Sequence, residues 1–213
     1  MNKRIGLFGG SFDPVHNGHV QVAEKAIDSL SLDTFFFIPA YRAPHKQDVK
    51  QTDIQQRVDM LQCAVKGMRK VEISMCEIER GGVSYTVETI RYFRERFPDA
   101  DLFLLLGSDS LHHFDSWYQV DELTRLSSVT IFSRKGYDSV YSLIYQMNFD
   151  AAEKVSLRRQ CLDICIDGIS STAIREAIHS NQPIEHMVPS CVYKYIVDNA
   201  VRHTQNGVLN RTS

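Results

Sequence analysis

The sequence predicts an α/β fold: a doubly wound parallel sheet with helices on both faces and a small C-terminal helical region. Three observations lead there. Short apolar runs alternate with stretches whose apolar residues recur at helical spacing. The runs, above all Thr34–Ile38 with its three successive phenylalanines and Asp101–Leu106, are continuous rather than alternating, as in strands covered on both sides. The first and fourth runs end at Gly9-Gly10 and Gly107, among Gly, Ser, Asp and His residues, where such sheets bind ligands.

Taken in order, Arg4–Phe8 reads as the first strand. A helix from about Gly18 follows, with Val22, Ala23, Ala26, Ile27 and Leu30 on one face. Thr34–Ile38 is stopped by Pro39, and a polar loop, Ala40–Gln51, contains Pro44. Thr52-Asp53-Ile54-Gln55 has the form of a capping box opening a helix with Val58, Leu61, Ala64 and Val65. Val71–Ser74 suits a strand, and a helix from Thr86 carries Val87, Ile90, Phe93 and Phe97 before Pro98. Asp101–Leu106 is the clearest buried strand, and a further helical stretch leads to a strand at Ser128–Phe132. Residues 138–160 give a mixed signal, helical in part. Leu162–Ile166 reads as the last strand, with helices over Ser171–His179 and Ser190–Ala200. With no repeat or linker, residues 1–200 form one Rossmann-like domain, and 201–213 form a polar C-terminal tail.

Lys and Arg number 24 against 26 acidic residues, a net charge of −2. That balance argues against a nucleic-acid coat or a polybasic membrane anchor. No apolar run approaches the roughly 20 residues of a spanning helix. The charged start Met1-Asn2-Lys3-Arg4 runs straight into a strand, so no secretion signal is expected and the location is expected to be cytoplasmic. The five cysteines lack zinc spacing and read as reduced, mostly buried thiols.

The chemistry concentrates in Gly9-Gly10-Ser11-Phe12-Asp13-Pro14-Val15-His16-Asn17-Gly18-His19, between a strand and a helix. The glycines let a ligand approach the backbone, and free N–H groups at a helix start favour an anion. His16 and His19 are three apart, so both imidazoles lie on one face of the first turn. Two ring donors there suit the oxygens of a polyphosphate. The helix dipole disfavours a charged imidazole until a triphosphate arrives, which ties the donor form to binding. The structural alternative is a helix-capping loop with two solvated histidines.

Ser11–His19 resembles the signature of the HxGH nucleotidyltransferase superfamily, and Ile169-Ser170-Ser171-Thr172-Ala173-Ile174-Arg175 resembles its ISSTxIR motif. Between them stand Pro44-His45-Lys46, Ser84-Tyr85-Thr86, Gly107-Ser108-Asp109-Ser110-Leu111 and Ser116-Trp117-Tyr118. Their order is similar to that of the bacterial nicotinate-nucleotide adenylyltransferase family, over nearly the whole chain.

The resemblance implies that Arg175 grips the β- and γ-phosphates of ATP, in catalysis with His16 and His19. It implies ATP contacts at Gly9, Gly10, Ser11, Phe12, Gly18, Gly107, Asp109, Arg134, Ile169, Ser170, Ser171 and Thr172. Lys46, Tyr85, Thr86, Asp109 and Trp117 would bind the second substrate. Each has a plainer reading beside it. Ser170, Ser171 and Thr172 are good helix caps, although Arg175 in a first turn is not favoured by the dipole. Ser108, Asp109 and Thr86 could be caps as well, and Lys46 a solvated loop residue. Trp117, the only tryptophan, reads as core by residue type and as a platform for a pyridine ring by resemblance. Met60 reads as core and Arg57 as site rim. The chain departs from the family pattern at Lys135, where a proline is usual beside Arg134, and at Ala40, where a polar residue is common and Tyr41 could supply the hydrogen bond.

The reaction so implied moves the adenylyl group of ATP to nicotinate mononucleotide, giving deamido-NAD and pyrophosphate in NAD biosynthesis. Mg²⁺ is expected on the phosphates, with no protein metal ligand assigned. The expected partners are those two nucleotides, with no nucleic acid and no membrane; a homo-oligomer is compatible with the sequence. The alternatives are an acceptor such as phosphopantetheine, or a nucleotide sensor without turnover.

Overall fold

All six residues of Thr34–Pro39 are buried, as a continuous apolar run inside a two-sided sheet requires. The computed structural model describes residues 2–44, 51–134, 140–147, 149, 157, 161–166 and 169–209. Its elements run β1 (Arg4–Gly10), α1 (Asn17–Ser29), β2 (Thr34–Pro39), α2 (Ile54–Val65), β3 (Val71–Ile73), α3 (Cys76–Arg80) and α4 (Thr86–Arg96). There follow β4 (Asp101–Gly107), a 3₁₀ helix (Ser108–Ser116), α5 (Val120–Leu126), β5 (Ser128–Arg134), α6 (Val140–Gln146), β6 (Cys161–Ile166), α7 (Ser171–His179) and α8 (Ser190–Leu209).

The sheet order is β3-β2-β1-β4-β5-β6, every pairing parallel. The order reverses between β1 and β4, the expected doubly wound plan. Side chains alternate across it. Phe36, Ile38, Leu102, Leu104 and Leu106 pack with Val87, Ile90 and Phe93 of α4. Phe35, Phe37 and Leu105 pack on the other face with Val22, Ala23 and Ala26 of α1, Met60 and Leu61 of α2, and Ile174 of α7. Two apolar layers therefore fix the strand ends in place.

The opening follows from register. β1 stays paired with β2 through Gly10↔Pro39, and β4 with β5 through Gly107↔Phe132. Between β1 and β4, however, pairing stops at Leu7↔Leu104. The two strands part over their last three residues, and that gap is the crevice at the switch point.

Three local expectations change. The cap of α2 is Asp53, whose Oδ1 accepts from the Gln55 N–H at 2.8 Å, not Thr52. The Thr52 N–H instead donates to Asp13 Oδ2 (3.3 Å), drawn to the first loop. The short α3 went unread because five residues show no period. Finally, α8 runs to Leu209, nine residues beyond the expected end at Ala200. No proline interrupts them, and extending an existing helix costs far less than starting one. Among the described residues, no helix is long and apolar enough to cross a membrane.

Candidate active site

His16 and His19 are not solvated. His16 is 1% exposed and His19 8%, and their rings stack at 3.6 Å between centroids. His16, with extended backbone, is the N-cap of α1, and its N–H donates to His19 Nδ1 at 3.2 Å. Because Nδ1 accepts, the neutral His19 ring carries its proton on Nε2. A donor thus exists without any charge being gained, which loosens the expected link between donor form and ligand. Phe12 stands edge-on to His19 at 5.0 Å, and Phe8 lies at 5.8 Å. The ring of Phe12 is core, 1% exposed, so any contact with ATP there falls to its backbone.

The second block docks onto the first. Ser170 caps α7, its hydroxyl accepting from the Ala173 N–H at 3.1 Å, as the sequence implied. Ser171 Oγ donates to the Pro14 carbonyl (2.9 Å), and Arg175 Nη1 donates to the Asp13 carbonyl (2.7 Å). Arg175 Nη2 reaches Thr172 Oγ1 at 3.2 Å. Those partners are neutral, and among the described residues no carboxylate forms an ion pair with Arg175. Its charge therefore remains for a ligand. Ile169 is half-buried, packed against the α1 side of the core. Asn17 clamps the loop from the other end, its N–H bonding the Met187 carbonyl (3.0 Å) and its Nδ2 the His186 carbonyl (3.0 Å).

The glycines explain themselves by what a side chain would meet. A Cβ on Gly9 would meet nothing within 4 Å, so that space stays open above the strand end. On Gly10 it would come within 3.0 Å of the Phe12 ring, and on Gly107 it would collide with Asp109 Oδ1. Gly18 is buried at the start of α1. Asp109 is thus held over the end of β4; the 3₁₀ helix has no side-chain cap, so neither it nor Ser108 serves that purpose.

A cavity of about 430 Å³ opens from the crevice, lined by Gly9, Gly10 and Ser11 on one side and Tyr85, Thr86 and Trp117 on the other. Trp117 packs edge-on against Phe114 (5.3 Å) at the edge of the core and also lines the cavity. Tyr85, with its ring 4.7 Å from that of Tyr118, is the N-cap residue of α4. Thr86 is the first helical residue, and no side chain caps this helix, so its hydroxyl is not the cap. The Tyr41 N–H is taken by Ser84 Oγ (3.0 Å). Lys46 lies outside the described residues, as do Lys135 and the side chain of Arg134, which ends β5.

Two residues under the site carry more than their sequence signal promised. Arg57 is not a rim residue but is 1% exposed, donating to the carbonyls of Ser11 (2.7 Å), Ala40 (2.9 Å) and Thr52 (3.3 Å). It ties the first loop to the loop after β2. Burial pulls its pKa down, with Asp13 and Asp53 opposing. Glu77, 5% exposed, borders the cavity and accepts from Thr89 Oγ1 at 2.6 Å. Burial raises its pKa against the pull of the Thr89 and Ser84 hydroxyls. Cys63, Cys76 and Cys191 are free thiols, of which Cys76 is buried and the other two half-buried; the side chains of Cys161 and Cys165 lie outside the described residues. Burial and the neighbouring Cys191 thiol push Cys63 up to about 12. No three His, Cys, Asp or Glu side chains gather as a metal site among the described residues.

Such a fold, with paired histidines at the first strand end and an arginine docked beside them, defines the class. The cytidylyltransferase-like family model matches residues 7–177, which makes this a nucleotidyltransferase chain. It is 33% identical over 201 residues to nicotinate-nucleotide adenylyltransferase of Bacillus subtilis, covering 93% of this chain and 98% of that one. It is 37% identical over 194 residues to a probable nicotinate-nucleotide adenylyltransferase of Clostridium tetani, covering 91% and 96%. The chain belongs to the nicotinate-nucleotide adenylyltransferase family. Its fold is similar to that of the Plasmodium falciparum nicotinic acid mononucleotide adenylyltransferase complexed with NaAD, with a TM-score of 0.72 at 18% identity, covering 93% of this chain and 96% of that one.

Proposed function

We propose that this chain transfers the adenylyl group of ATP to nicotinate mononucleotide, releasing pyrophosphate and forming deamido-NAD. The observation that carries the reading is the junction of the two motif blocks. Arg175 and Ser171 hydrogen-bond the Asp13 and Pro14 carbonyls, just ahead of His16 and His19 and beside an aromatic-walled cavity.

The acceptor's 5′-phosphate is itself the nucleophile: one of its oxygens attacks the α-phosphorus, the bond to the bridging oxygen breaks, and pyrophosphate leaves. No covalent enzyme intermediate and no protein base is needed, so the protein's part is alignment and charge stabilisation. His16 and the Nε2–H of His19 meet the reacting phosphates, and Arg175 meets the leaving pyrophosphate. Gly9, Gly10, Ser11, Gly18 and the first turn of α7, Ser170 to Thr172, offer backbone N–H groups, while Asp109 accepts from ribose hydroxyls. Trp117 and the Tyr85–Thr86 turn take the pyridine ring and its carboxylate. Mg²⁺ enters as part of the ATP substrate and shields its phosphates. A cytoplasmic place in NAD biosynthesis goes with this activity.

The test is pyrophosphate release with ATP and, in turn, nicotinate mononucleotide, nicotinamide mononucleotide and phosphopantetheine. The nicotinate form is expected to react fastest. Release only with phosphopantetheine, or with none, would overturn the reading.

A further inference from the structure

Glu77 has no part in the chemistry above, yet it is a buried carboxyl bordering the cavity. It joins three elements. Its Oε1 accepts from Thr89 Oγ1 of α4 at 2.6 Å, and its carboxyl bonds the Ser84 hydroxyl of the preceding turn. Ser84 in turn accepts from the Tyr41 N–H (3.0 Å) and gives its own N–H to the Arg42 carbonyl (2.9 Å). Around it, Arg80 on α3 and Glu88 on α4 are paired at 3.2 Å, so their opposing charges largely cancel at Glu77. A buried acid is costly unless its lone pairs are satisfied, and here two hydroxyls from the cavity wall satisfy them.

We propose that Glu77 is a positioning residue for the acceptor nucleotide: through Ser84 and Thr89 it holds the Ser84–Tyr85–Thr86 turn against the cavity, and so sets acceptor affinity without setting ATP affinity. This rests on the reading that the cavity takes the acceptor. The ATP side of the site, on the same reading, draws on β1, α1, the end of β4 with its 3₁₀ helix, and α7, none of which hydrogen-bonds the Glu77 carboxyl among the described contacts. A turn freed from its buried anchor has to be ordered again when the acceptor binds, a cost of roughly tenfold in affinity.

The experiment is steady-state kinetics on the full chain carrying Glu77→Ala, Glu77→Gln or Thr89→Val, varying ATP and nicotinate mononucleotide separately. Glu77→Ala is expected to raise the acceptor KM roughly tenfold and to leave the ATP KM within about twofold. Glu77→Gln, which keeps the shape and two hydrogen-bonding atoms, is expected to restore most of the acceptor KM. Thr89→Val cuts one arm alone, with a smaller shift in the same direction, and decides the matter if Glu77→Ala does not fold. Equal changes in both KM values, or no change in a folded variant, overturn the positioning role while leaving the activity standing. A wild-type chain that forms no product fails the functional reading first.

Discussion

Replacing Arg57 by methionine keeps the apolar stem in the interior and removes three hydrogen bonds to the carbonyls of Ser11, Ala40 and Thr52. Hydrogen bonds from a charged donor are worth about 1.5–3 kcal/mol each, and the Thr52 contact at 3.3 Å is the weakest. Part of that sum is returned, because the guanidinium no longer has to be buried, a cost visible in its lowered pKa. A net loss of about 3 kcal/mol remains. For a chain of this length, each kcal/mol moves Tm by about 2–4 °C, so a drop of roughly 6–12 °C follows. Arg57→Lys should fall between, since one ammonium cannot reach three carbonyls in a planar fork. Thermal unfolding measures the drop, and initial rates should show both KM values raised, because the two loops lose their common tie. A methionine variant melting within about 2 °C of wild type, with unchanged kinetics, would refute the reasoning.

His19→Ala should lower turnover by about 10²- to 10⁴-fold while far-UV circular dichroism stays native; normal turnover in a folded variant would remove the ring from the mechanism. Gly107→Ala should raise the ATP KM roughly tenfold and the acceptor KM with it, because the added methyl displaces the Asp109 carboxylate, which the resemblance sets against both nucleotides; titration with each nucleotide reads the changes, and unchanged values in a folded variant would take Asp109 out of the site. Burial makes Glu77 hold its proton to higher pH than an ordinary carboxyl, so between the unfolded and folded pKa values the native state binds more protons. Stability from this site therefore falls as pH rises through that window and is regained below it. Relative to Glu77→Gln, wild type should gain stability in denaturant titrations as pH is lowered from about 7 to 4. A constant difference would contradict the assignment.

The strands and the two motif blocks were legible because their signals are local. Thr34–Ile38 is apolar without a break, and Ser170 caps α7 through its own hydroxyl. The turn at Gly9–His19 could be placed between strand and helix by composition alone. What could not be read was tertiary in origin. A charged residue on a helix is rarely fully buried, so Arg57 reads as site rim and not as core. The signal that could have found it is its spacing: with Leu61 and Ala64 it shares the apolar stripe of α2. Glu77 sits on a helix too short to show a period, and its partners come from another helix and a turn. His19 packs against Phe8 and Phe12 and His16 stacks on His19, contacts that no spacing rule announces. Asn17 carries no signal of its own in the sequence, because its partners, His186 and Met187, come from far along the chain.

The most direct test of the whole account is a double-mutant cycle on kcat/KM with His19→Ala, Arg175→Ala and the pair together. One phosphate cradle assembled from both ends of the chain predicts strong coupling: the double variant loses far less than the product of the two single losses. Losses that simply multiply would mean the imidazole and the guanidinium act on separate events, and would contradict the account.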